Sequence, residues 1–91
     1  MSMFFTPLAD AINAPANSAG ASDVDNAQVV LVQNTNNTTA YLVTLEEPNG
    51  DNIGTFHIPA QEMCFIHKGK FDKMFAANTA VKFTKCSYPR G

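Results

Sequence analysis

The sequence predicts a mainly β fold: a small antiparallel β-sandwich or open barrel of about five strands, with one short helical turn and an extended N-terminal arm. Three observations carry this expectation. Short β-branched or alternating apolar runs recur from residue 29 onward, each closed by Asn, Pro or Gly. Within that region only residues 70–77 show apolar spacing suited to a helix. Composition also changes near Gln28: residues 1–27 hold seven Ala, three Asp and no basic residue, whereas every Lys and Arg falls between Lys68 and Arg90. The 91 residues therefore divide into an arm, 1–27, and a β-sandwich domain, 28–91.

The elements follow in order. Residues 14–26 are rich in Ala, Asn, Ser and Asp and have few large apolar side chains to bury, which predicts an extended tether. Its tip differs. Met3, Phe4, Phe5, Leu8 and Ile12 are large and apolar, and Phe4, Leu8 and Ile12 sit four apart as on one helix face, so these five are the expected anchor on a partner. Fully extended, such an arm spans up to about 90 Å at roughly 3.3 Å per residue.

Val29-Val30-Leu31-Val32 is a strand run ended by Asn34-Thr35-Asn36-Asn37, where Asn favours turns, so the formal Asn-x-Thr patterns at Asn36 and Asn37 read as turn residues. Residues 39–46 alternate, with Tyr41, Val43 and Leu45 on one face, and Pro48-Asn49-Gly50-Asp51 supplies the hairpin turn to a strand over 53–58 that Pro59 closes. Residues 62–68 form a further strand, apolar on both faces. Phe71, Met74 and Phe75 fit i, i+3, i+4 spacing and predict about two helical turns over 70–77. The last strand is expected over 80–88. A core this small is marginal by itself, and association commonly completes it.

Composition narrows the function. Charged residues are 15% of the chain, net charge is −2, and nine Asn and eight Thr supply much of the polarity. Such a neutral surface suits close contact with neighbours and offers no global basic field for nucleic acid or anionic lipid. No run approaches the roughly 20 apolar residues of a membrane helix. The N-terminus lacks Lys and Arg and is interrupted by Pro7 and Asp10, so it reads as mature sequence.

Catalytic groups are few, and no enzyme is expected. Cys64 and His67 are three apart, an odd offset that sends them to opposite faces of a strand, and no Cys-x-x-Cys or His-Glu-x-x-His pattern occurs. Adjacent Glu46 and Glu47 point apart on a strand and cannot act as a general acid/base pair. No phosphate-cradling glycine motif is present. Cys64 and Cys86 are expected to stay thiols without metal or cofactor. The basic turn with Lys68, Lys70 and Lys73 is the second expected partner-binding feature, facing an acidic protein surface rather than a specific nucleic acid.

The strings Val29-Val30-Leu31-Val32-Gln33-Asn34, Tyr41-Leu42-Val43-Thr44-Leu45, Ile53-Gly54-Thr55-Phe56-His57-Ile58-Pro59-Ala60 and Lys68-x-x-x-Asp72-Lys73-x-Phe75-Ala76-Ala77 resemble those of small β-rich virion structural proteins of tailed bacteriophages, especially cyanophages and marine phages. The likeness covers roughly residues 28–88. It implies a capsid cement or decoration subunit, made in the bacterial host cytoplasm and located on the virion surface. Its expected partners are the major capsid protein or another virion subunit, with association into a homo-oligomer such as a trimer and with the arm clamping neighbouring capsomers. A neck, tail or fibre-associated subunit is the alternative, and a small binding module whose arm folds on one protein partner is another.

Overall fold

The computed structural model describes residues 5–87. Its strands, in chain order, are β1 (Ile12–Asn13), β2 (Val29–Asn34), β3 (Tyr41–Glu46), β4 (Asn52–Ile58), β5 (Met63–His67), β6 (Lys73–Ala76) and β7 (Val81–Lys85). They build two antiparallel sheets, β1-β7-β2-β5 and β4-β3-β6. The chain is mainly β, with a single 3-10 turn, Ser18–Gly20, among the described residues.

β2 lies inside its sheet, between β7 and β5, and five of its six residues are buried. Val30 and Val32 of β2 face inward beside Phe83 and Val81 of β7, and meet Val43, Ile58 and Met74 from the other sheet. All seven are almost fully buried. Filling one slab with interlocking β-branched and aromatic groups is what joins the sheets. Between β3 and β4, Gly50 takes φ +94°, a conformation that only glycine adopts at low cost, and thereby closes the hairpin.

Asn34 ends β2 and ties the sheets together. Its Nδ2 donates to Thr39 O at 2.8 Å and to Ile58 O at 3.0 Å, while its Oδ1 accepts from Asn36 N at 2.9 Å. The neighbouring Asn36 Oδ1 accepts from Thr38 N and Thr39 N, so the Asn cluster does form the expected turn.

Four expectations are corrected. The five predicted strands are all present, but β1 and β6 make seven. Residues 70–77 are not helical: Met74 and Ala76 are buried while Lys73 and Phe75 are half-buried, a period of two, because this segment pairs with β3 in register Thr44 to Phe75. The last strand is Val81–Lys85, shorter than residues 80–88, and Tyr88 lies outside the described residues.

The fourth correction concerns the arm. Its described part, residues 5–27, is extended but belongs to the sandwich of its own chain. Ile12 pairs with Phe83 and Asn13 with Lys82, and Pro7 makes a bridge with Cys86. The segment then crosses to the other sheet, where Ala76 N donates to Pro15 O at 2.9 Å and Ser22 pairs with Met74. Ala14, Val24 and Ala27 join the main core. Their small volumes are the reason: an Ala-rich strip closes the side of a sandwich without needing a core of its own.

Candidate functional site

On the outer face of the four-stranded sheet lies a second, smaller apolar cluster. Val29, Leu31 and Cys86 are buried there under Phe5 and Phe65. The two rings meet edge to face, 5.3 Å between centroids and 70° between planes, a favoured aromatic geometry. Residues 6–8 hold Phe5 in place by running beside the end of β7: Leu8 N donates to Lys85 O and Ser87 N to Thr6 O, both at 2.8 Å.

This arrangement leaves an open cleft of about 750 Å³. Phe5, Leu8, Val29 and Cys86 give it an apolar lining, and Lys70 and Lys85 stand at its border. Leu8 is 55% exposed. Lys85 also lies 3.8 Å from Asp25, a pair in which the lysine is half-buried and the aspartate exposed. Chemically, the cleft suits a segment that carries an apolar side chain and a carboxylate, because burial and charge complementarity act on the same guest.

The structure thus brings together three of the expected binding residues, Phe5, Leu8 and Lys70, and separates the others. Met3 and Phe4 lie outside the described residues. Ile12 sits on β1, partly exposed, away from the cleft lining. Lys73 stands on β6 opposite Glu46, in the other sheet. Lys68 is withdrawn: it is 3% exposed, and its Nζ donates to Gly69 O at 3.0 Å and Asp72 O at 2.7 Å. A lysine so engaged holds its own turn together and is not offered to a partner. Burial lowers its pKa from the ordinary lysine value, against the opposing attraction of Asp23 and Asp72.

Lys85, Val29 and Cys86 are not among the binding residues expected from the sequence. Strand alternation puts Val29 and Cys86 on one face and Lys85 on the other, and nothing local says that residues 5–8 would fold back beside them. Cys64 faces the main core and Cys86 the outer cluster, so the two free thiols lie on opposite faces of one sheet. Burial raises both thiol pKa values. Cys64 and His67 also point to opposite faces of β5, since Cys64 packs on the core while His67 pairs with Val29 of the outer cluster. Among the described residues no three His, Cys, Asp or Glu side chains gather as metal ligands, and no helix is long and apolar enough to cross a membrane.

No family model, curated protein or solved structure matches this chain.

Proposed function

We propose that this chain is a non-enzymatic virion structural protein of a tailed bacteriophage, a capsid cement or decoration subunit that binds the major capsid protein at the virion surface. The observation that carries the reading is the cleft in which exposed Leu8 and half-buried Phe5 adjoin Lys70 and Lys85. The neutral Asn- and Thr-rich composition and the resemblance of the strand motifs support the same reading. Attachment is then made by the cleft face rather than by a free arm, because residues 5–27 are occupied within their own sandwich. Each bound copy links surfaces that must part when a shell ruptures, so binding free energy opposes rupture directly.

The test uses particles with and without the protein. Complete particles retain DNA to a higher temperature than particles lacking it, and Leu8→Asp or Lys70→Glu lowers occupancy at unchanged solution stability. Equal heat resistance with and without the protein overturns the cement role. A single ring of copies on the tail axis replaces it with the neck or tail reading.

A further inference from the structure

The two sides of the sandwich are finished differently. On one side the N-terminal segment covers β7 and β6; on the other, β4 and β5 are the last strands of their sheets. β4 is the longer of these, seven residues, six of them exposed or half-exposed. An edge of that length is usually blunted by Lys, by Pro or by covering chain. Asn52 through Ile58 contains no charged residue and no Pro.

The direction of the β4 backbone follows from its neighbours. Leu42 O accepts from Ala77 N at 2.9 Å, on the β6 side of β3. Backbone groups alternate sides along a strand, so Val43 faces β4, and its partner Phe56 faces back toward β3. Thr55 and His57 therefore direct their N–H and C=O groups away from the sheet, while at Ile53 the bulge opposite Leu45 and Glu46 interrupts the alternation. The same rule applied to β6 points Met74 and Ala76 outward, and those two do bond to Ser22 and Pro15. Among the described residues nothing bonds to the outward groups of β4.

We propose that the chain pairs with a second copy of itself through β4, antiparallel about a two-fold axis at Thr55. This register engages both outward residues, Thr55 and His57. Thr55 meets its own copy, and Ile53 meets His57 of the second chain in both directions. A two-fold axis sets a central residue against itself, so a charge there would repel its twin; β4 has none. On the inner face, Gly54 falls opposite Phe56 of the other copy. A side chain built at Gly54 would meet nothing within 4 Å, so the space that ring would enter is open. An aromatic ring across from an edge glycine is a known compensation for the missing side chain. Asp51 falls opposite Pro59 of the other copy, so the acidic turn does not meet its twin. The pairing goes beyond the particle-binding reading, since it concerns the free chain and holds whether or not a shell is the destination.

The full chain is measured by sedimentation over a concentration series reaching about 1 mM, the range of weak small-interface complexes. The expected mass rises from 9.8 kDa toward twice that value. Thr55→Lys, on an exposed position, lowers self-association at least tenfold with unchanged circular dichroism. Thr55→Cys in a Cys64→Ser, Cys86→Ser background joins two chains through a short thiol cross-linker, whereas Ile53→Cys does not, because only residue 55 lies about 5.5 Å from its twin. A monomer at every concentration overturns the proposal. So does a dimer that persists in Thr55→Lys, or one that cross-links at 53 in preference to 55.

Discussion

Ser22 and Met74 exchange two backbone hydrogen bonds, Ser22 N donating to Met74 O at 3.0 Å and Met74 N to Ser22 O at 2.8 Å. The chain before β2 is thus part of the second sheet's edge as well as the first's. Its sequence carries little burial of its own, but it satisfies backbone groups that would otherwise face solvent and closes the core along one side.

Removing residues 1–27 is therefore expected to abolish cooperative folding, not merely to weaken attachment. The deletion strips Ala14, Val24 and Ala27 from the core and uncovers β6 and β7 together. A milder probe is Ala14→Asp, which buries a carboxylate with no partner and costs about 3 kcal/mol or more. Urea unfolding of the point variant and circular dichroism of the truncation check both. A truncated chain with native spectrum and sharp unfolding would show that the segment is dispensable.

Asn34 is expected to be the polar residue most costly to replace. Asn34→Ala leaves the carbonyls of Thr39 and Ile58 and the N–H of Asn36 without their partner, a loss of roughly 2–4 kcal/mol. Asn34→Asp loses both donors and adds a buried charge, so it falls below Asn34→Ala in stability. Chemical denaturation of the two variants gives the order; an Asp variant more stable than the Ala variant would contradict the assigned donors.

The strands around Asn34 were legible because β-branched or alternating apolar runs and the turn residues that close them are local signals, and β2 to β5 carry them. Residues 70–77 were misread since Phe71, Met74 and Phe75 also fit a helical stripe; pairing with β3 decided between the periods, and pairing is not local. Ile12 and Ala14 gave no strand signal for a related reason: their partners Phe83 and Val81 are about 70 residues away. The cleft was half legible. Its apolar and basic members were visible as types, but Lys68 and Lys70 read alike in sequence, and only the fold turns the first inward and leaves the second outside.

Lys68 gives a pH signature with a defined sign. Its pKa is lower folded than unfolded, so between those two values the unfolded chain binds more protons and stability rises with pH. Against Lys68→Met, which cannot titrate, the native chain is expected to gain relative stability as pH rises from the lowered folded value to the unfolded lysine value of about 10.4, then level off. Thermal melts of both proteins at stepped pH provide the comparison. A difference that shrinks with rising pH would mean that Asp23 and Asp72 outweigh burial and that the shift runs the other way.

The turn before β2 holds three successive residues in the left-handed region, Val24, Asp25 and Asn26 at φ 55°, 58° and 58°, closed by Ala27 N donating to Asp23 O at 3.2 Å. Left-handed backbone costs an ordinary L-residue roughly 1–2 kcal/mol, and β-branched Val24 is the least suited of the three. Burial of Val24 in the core holds the turn in place, so the strain is offset by packing rather than relieved. Asn26 is exposed, which lets the backbone effect be measured apart from packing. Asn26→Gly removes the steric cost but gains chain entropy in the unfolded state, for a net stabilisation of about 0.5 kcal/mol. Asn26→Ala forfeits the tolerance that Asn has for this region and loses about 1 kcal/mol, and Asn26→Val loses more. The expected stability order is Gly, Asn, Ala, Val, the reverse of what the backbone entropy of the unfolded chain alone would give for Gly and Ala. Urea midpoints for the four proteins read it directly, and an Ala variant at least as stable as the Gly variant would show that residue 26 does not adopt a left-handed backbone in solution.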